Sequence, residues 1–304
     1  MSRGGGIVFA NYIPTSLVGN NSPSPTLAAD NVCSLPISTG AFAGAVFYLT
    51  ELQANQLSQS PVNSAPQLIC HEGWYMVVQV SASAVAANIV QGAIGAQVSI
   101  PITQLTETAN IPPAAVVTDG ATAATASFLG INPVIFLNAV TPGYYTIVQI
   151  AGDASVALAA SQTTVIGSAL LSGTPGLASA GGSTALTAAN IYEVIGIAEQ
   201  VRITPAAALV LTGVAASSGG SAVYTGTITG GGTNNFVGLY FVVAGFVNTT
   251  NNSAYVGPQG FICTANTTTT LTLTNALAVA ETHAGTATST NLVRVQLAFP
   301  FGVI

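Results

Sequence analysis

Lysine is missing from this 304-residue sequence, and arginine occurs only as Arg3, Arg202 and Arg294. With nine acidic residues added, charged side chains make up 4% of the chain. An ordinary soluble domain carries roughly 25%. Binding a nucleic acid takes clustered Lys and Arg to neutralise phosphates. Three scattered arginines and a formal net charge of −6 argue against that partner. The same lack leaves Gly230-Gly231-Gly232 without the lysine that a phosphate loop requires.

Long apolar runs are also absent. The best, Gly238–Val247, is about half the ~18 residues a membrane helix needs. Disorder is disfavoured as well, because disordered chains combine low hydrophobicity with high charge. Here half of the residues are hydrophobic. The composition therefore describes a folded chain whose polar surface is built from Thr, Ser, Asn and Gln. Surfaces of such low charge density associate readily, which suits a subunit packed against copies of itself or a partner. The N-terminal apolar stretch is four residues long, too short for a signal-peptide core. Synthesis in the cytoplasm is expected.

Chemistry is equally sparse. Cys33, Cys70 and Cys263 have no zinc spacing. Cys33 and Cys70 are either a disulfide or two buried thiols. Cys70, His71 and Glu72 are adjacent, but neighbours in a strand point to opposite faces, so no nucleophile–base pair is expected. His283 near Glu281 reads as solvated. No two carboxylates stand at a spacing suited to acid–base work or calcium. Asp119-Gly120 and Gly152-Asp153 read as turns. The Asn248-Thr249-Thr250 sequon carries little meaning without secretion. Trp74 and Tyr75 read as core or interface. No catalytic, cofactor or metal set is expected, and the chain reads as a non-enzyme.

What is present is β-forming sequence. Residues 1–31, rich in Gly, Asn, Ser and Pro, read as an extended arm or a frayed terminus. Phe42, Val46, Leu49, Leu52 and Leu57 recur at helical spacing up to Pro61, which predicts one helix. Ala82–Gln91 is a weaker, shorter helix candidate. Most of the remainder alternates short β-branched and aromatic runs with Gly, Pro, Asn and Asp. Two runs, Gly73–Val80 and Gly143–Ile150, match at an offset of 70 residues. They are either an internal duplication or two strands fitted to similar slots. Residues 172–190 read as a low-complexity loop. From 206 to 287 the chain turns rich in Thr, Gly and Asn, with short regular strands that suggest a small Ig-like β-sandwich. The predicted architecture is all-β. A β-barrel-like core, residues 32–205 with 288–304, carries a short N-terminal helix and accepts the 206–287 sandwich as an insertion before its last strand.

The stretch from Gly143 to Gln200, closed by Val293, Val295 and Leu297, resembles the capsid decoration (head-stabilising or cement) proteins of bacteriophages. The likeness is carried by Gly143, Val148, Gln149, Gly152, Ala154 and Val156, and covers roughly residues 70–203 and 291–304. Residues 245–288 are similar to a module frequent in phage structural proteins. The chain is longer than the compact decoration proteins. The resemblance implies a virion protein on the outer capsid surface. There, as a homotrimer, it would bridge and stabilise major capsid subunits without nucleic acid, membrane or cofactor. Two other readings stay open: a tail-fibre, spike or adhesin component whose sandwich contacts host glycans through Tyr224, Phe236, Tyr240 and Tyr255, and a self-assembling shell or tube protein.

Overall fold

The two matching runs lie side by side. Strand β2 (Gly73–Val80) pairs antiparallel with the first half of the 13-residue strand β6 (Tyr145–Ala157). Val77 faces Ile147, its own equivalent, while Met76 faces Val148 and Val78 faces Thr146. Tyr75 and Gln149 face each other, as do Gln79 and Tyr145. The two segments are thus related by a local twofold axis through Val77 and Ile147. Each glutamine reaches the other segment's leading glycine: Gln79 Nε2 donates to the Gly143 carbonyl at 3.2 Å. Gln149 Nε2 lies 2.7 Å from where a Cβ on Gly73 would stand.

A computed structural model describes residues 46–58, 71–97, 116–119, 133–137, 139–143, 145–173, 176–181, 194–255 and 260–297. The arm at 1–31, Cys33, Cys70 and the Tyr255 side chain lie outside the described parts. Around the β2–β6 pair, β3 (Ile94–Gln97), β4 (Val116–Asp119) and β5 (Pro133–Phe136) complete a ring. Its pairings run β2–β4, β4–β3, β3–β5, β5–β6 and back to β2. Met76, Val78, Val80, Val117, Phe136 and Val148 belong to the core it encloses. The chain is nearly all β, as its composition predicts.

The predicted short helix is present, but it begins later than the helical spacing from Phe42 suggests. Val46–Leu49 is strand β1, paired with β2, and the helix α1 spans only Glu51–Ser58. Aromatic and β-branched residues alternate between exposed and buried across β1, which favours pleated backbone. Thr50 then starts the helix with a capping box: Gln53 N–H donates to Thr50 Oγ1 at 3.5 Å, and Thr50 N–H donates to Gln53 Oε1 at 3.0 Å. The second candidate, Ala82–Gln91, contracts to one 3-10 turn at Ala86–Asn88. Ala84 and Ile89 are drawn into the core, and Asn88 donates to Asp119.

Gly152-Asp153 is not a turn. Gly152, at φ +91, bends β6 without ending it, and a Cβ there would stand 2.5 Å from the Glu72 carbonyl. Past the bend β6 pairs with β18 (Leu292–Leu297), and the sheet continues through β10 (Val194–Ala198), β8 (Ala169–Ser172) and β9 (Ala178–Ala180). The last of these strands lies within the stretch expected to be loop. The short strands β7 (Thr163–Thr164) and β11 (Arg202–Ile203) form a separate pair.

Between β11 and β18 the chain forms a closed six-stranded barrel. Its strands are β12 (Leu209–Val214), β13 (Ala222–Thr227), β14 (Tyr240–Ala244), β15 (Phe261–Asn266), β16 (Thr270–Leu273) and β17 (Gly285–Ser289). The order around it is β12-β13-β16-β15-β14-β17, and the β12–β17 pairing closes it. The segment read as a sandwich is therefore one continuous sheet. Tyr224, Phe236, Phe241 and Phe261 fill its core. Asparagines hold the loops from inside: Asn275 donates to Tyr224 Oη at 2.7 Å, and Tyr224 donates to the Asn251 carbonyl at 2.9 Å.

Candidate interaction surface

The ten-stranded order ends at β1 on one side and at β9 on the other. The β9 edge is covered by the chain's own backbone and side chains. Ala159 N–H donates to the Ala178 carbonyl at 2.8 Å, and Ala180 N–H donates to Gln162 Oε1 at 2.9 Å. The β1 edge differs: among the described residues, β1 pairs only with β2. Its outer face carries Val46 (46% exposed) and Tyr48 (39%), beside Trp74 (42%) of β2. The Tyr48 and Trp74 rings meet edge to face at 5.3 Å.

Natural proteins usually blunt such an edge with Lys, Pro or a bulge; β1 contains no charged residue and no proline. The two nearby carboxylates are engaged. Tyr48 Oη donates to Glu72, and Glu72 N–H donates to Glu51 Oε2 at 3.0 Å. The hydrogen bond to Glu72 raises the Tyr48 pKa, with burial and the carboxylate charge adding to it. Further apolar side chains stand exposed on the turn after β7 (Val165, Ile166), at Ile197 of β10 and at Val201. On the barrel exterior, Val210 and Val223 occupy β12 and β13.

The residues singled out for chemistry are mostly used in packing. His71 is 5% exposed, and its Nε2 lies 2.8 Å from Ser155 Oγ. The β2–β6 pairing brings those two residues together, a contact that inspecting Cys70 and Glu72 had no means of revealing. Among the described residues His71 Nδ1 has no hydrogen-bond partner, so none of them supplies the carboxylate that orients the base of a catalytic triad. Burial, and then the Arg294 charge, lower the His71 pKa. Burial pushes the Cys263 thiol up to about 12. Asp119, expected in a turn, ends β4 and is buried, accepting from Asn88 and Thr118. Glu281 accepts from the backbone N–H groups of Val247 and Asn248 and from the Asn251 amide. Desolvation opposes its ionisation, yet these bonds hold its pKa below the usual value. No group of His, Cys, Asp and Glu suited to a metal ion occurs among the described residues. Nor is any described helix long and apolar enough to cross a membrane.

Of the four aromatics considered for glycan contact, Tyr224 and Phe236 are fully buried in the barrel, and Tyr240 is half-buried. No family model matches the chain, and neither a curated protein nor a solved structure matches it.

Proposed function

We propose that this chain is a structural subunit of a bacteriophage particle. In this reading it binds the outer capsid surface, as a homotrimer, and stabilises the shell by bridging adjacent major capsid subunits. The observation that carries the reading is the uncharged β1 edge with Tyr48 and Trp74 beside it, on a chain almost devoid of charge. An open edge accepts a further strand from a neighbour through main-chain hydrogen bonds. The apolar face beside it contributes about 25 cal/mol per Å² that leaves water. Spread over a standard contact of about 800 Å² per partner and many copies, such terms resist the separation of shell subunits. The role is mechanical and needs no catalytic group or cofactor.

The glycan-binding alternative finds less support, because the barrel aromatics it would use are mostly core. The test is a pull-down of purified protein on intact, undecorated shells, counting bound copies per shell. Saturation at a fixed multiple of the shell's symmetry sites is the expected result, and Tyr48→Lys is expected to abolish it. Failure to bind shells, with the protein instead assembling alone or binding cells, would overturn the proposal in favour of a tube or an adhesin.

A further inference from the structure

A cavity of about 230 Å³ opens where the end of the sheet meets the barrel, lined by His71, Ser155, Arg202, Tyr240, Thr290 and Arg294 among others. Two of the three basic residues in the whole sequence meet here. They are held in different ways. Arg294 is neutralised, its Nη2 at 2.5 Å from Asp153 and its Nε at 3.2 Å from Glu199. Arg202 has no carboxylate partner among the described residues. Its one side-chain hydrogen bond among the described residues is a 3.5 Å contact from Nη1 to the neighbouring Val201 carbonyl.

A guanidinium keeps its proton in a protein, so Arg202 is a half-buried cation without a counter-ion among the described residues. The fold makes room for it. Gly238, at φ +82, lies against the guanidinium, and a Cβ there would stand 3.2 Å from Nη1 and 3.4 Å from Nη2. Among the described residues, Arg202 Nε, His71 Nδ1, Thr290 Oγ1 and Arg294 Nε are all buried without a hydrogen-bond partner, the last held only by its ion pair with Glu199. Buried polar atoms are normally paired, and unpaired ones cost free energy. Four of them on side chains around one cavity, beside a cation with no carboxylate partner among the described residues, describe a site prepared for an acceptor.

We infer that this cavity binds a carboxylate. Arg294 with Asp153 and Glu199 leaves one surplus negative charge, which Arg202 offsets, so the lining has no excess positive charge and a singly charged ligand held by hydrogen bonds fits it better than a dianion. A dianion such as sulfate or phosphate meets no second free cation. The planar fork of a guanidinium suits a carboxylate. In the tautomer that accepts from Ser155 Oγ at Nε2, His71 carries its hydrogen on Nδ1 and offers a second donor, with the Thr290 hydroxyl as a third. The carboxylate belongs either to a free small acid, such as a sugar acid, or to an acidic side chain of a bound protein segment. The inference does not rest on the capsid reading.

The test is thermal unfolding and calorimetric titration of the full chain with acetate, glucuronate, a blocked peptide carrying one glutamate, acetamide and sulfate. Carboxylates are expected to raise the melting temperature, with acetamide and sulfate inert at equal concentration. Preference for glucuronate assigns a small acid, and preference for the peptide assigns a protein segment. Arg202→Gln is expected to fold with an unchanged or higher melting temperature and to lose the carboxylate response. Thr290→Val is expected to weaken binding roughly five- to tenfold while leaving the fold intact. Indifference of the wild-type protein to every carboxylate, or an undiminished response in Arg202→Gln, would overturn the inference.

Discussion

The barrel and the sheet are made from similar residues but handle their edges in opposite ways. In the barrel, first and last strands meet, aromatics point inward and asparagines satisfy the loops. Closure removes edges altogether, so the barrel needs nothing from outside to complete its hydrogen bonding. The sheet closes a ring of five strands, covers its β9 edge and leaves β1 with one described partner. With so little charge available, the chain makes one region self-sufficient by topology, while in the other β1 has a single pairing among the described residues.

The comparison breaks first at the barrel core. Phe241→Ala is expected to cost about 3–5 kcal/mol by opening a cavity in a fully buried site, measured by urea unfolding. Next come two positive-φ glycines of the sheet. Gly152→Ala places a Cβ 2.5 Å from the Glu72 carbonyl, whereas at Gly143 nothing lies within 4 Å. The first is expected to lose roughly 3 kcal/mol or more, and the second about 1 kcal/mol from backbone strain alone. Equal losses would show that contact with β2 does not govern Gly152.

His71 supplies a pH test specific to the sheet. Its folded pKa lies below the ordinary 6.5, so below pH 6.5 the unfolded chain takes up a proton that the folded chain refuses. Stability is therefore expected to fall as pH drops from 6.5 towards the folded pKa, and to level off beneath it. His71→Gln flattens that part of the profile if the assignment is right. The smallest effect is expected on the outer faces. Val210→Lys on the barrel should change stability by less than about 0.5 kcal/mol, and Tyr48→Lys on the edge, which gives up the ring contact with Trp74, by about 1 kcal/mol. Only the second should alter binding to shells; equal loss from both would erase the distinction between the two regions.

Strand identity was largely legible because β-branched and aromatic runs lie between glycines and asparagines. The all-β class followed from that alone, and the β2 and β6 match showed in their letters. What failed was local. The spacing of Val46, Leu49 and Leu52 satisfies a helix, yet the cross-strand partners Trp74 and Tyr75 take β1 into the sheet. A glycine before an aspartate signals a turn, but Gly152 bends a strand whose partners change at that point. Barrel closure escaped because β12 and β17 are distant in sequence. The Arg202 cavity escaped for the same reason: it joins residues from the segment before β2, from β6, β11, the rim of the barrel and β18. Composition announced how rare the arginines are, but not that two of them converge.

The way the chain leaves the barrel has a mechanical consequence. After Thr290 it passes at once into β18, which is hydrogen-bonded to β6 on one side and β10 on the other. A pull on the barrel through this connection loads β18 along its own axis. Both ladders are then strained in shear together, where a perpendicular pull would peel them open one bond at a time. The exit strand is thereby a tether whose strength depends on the direction of the force.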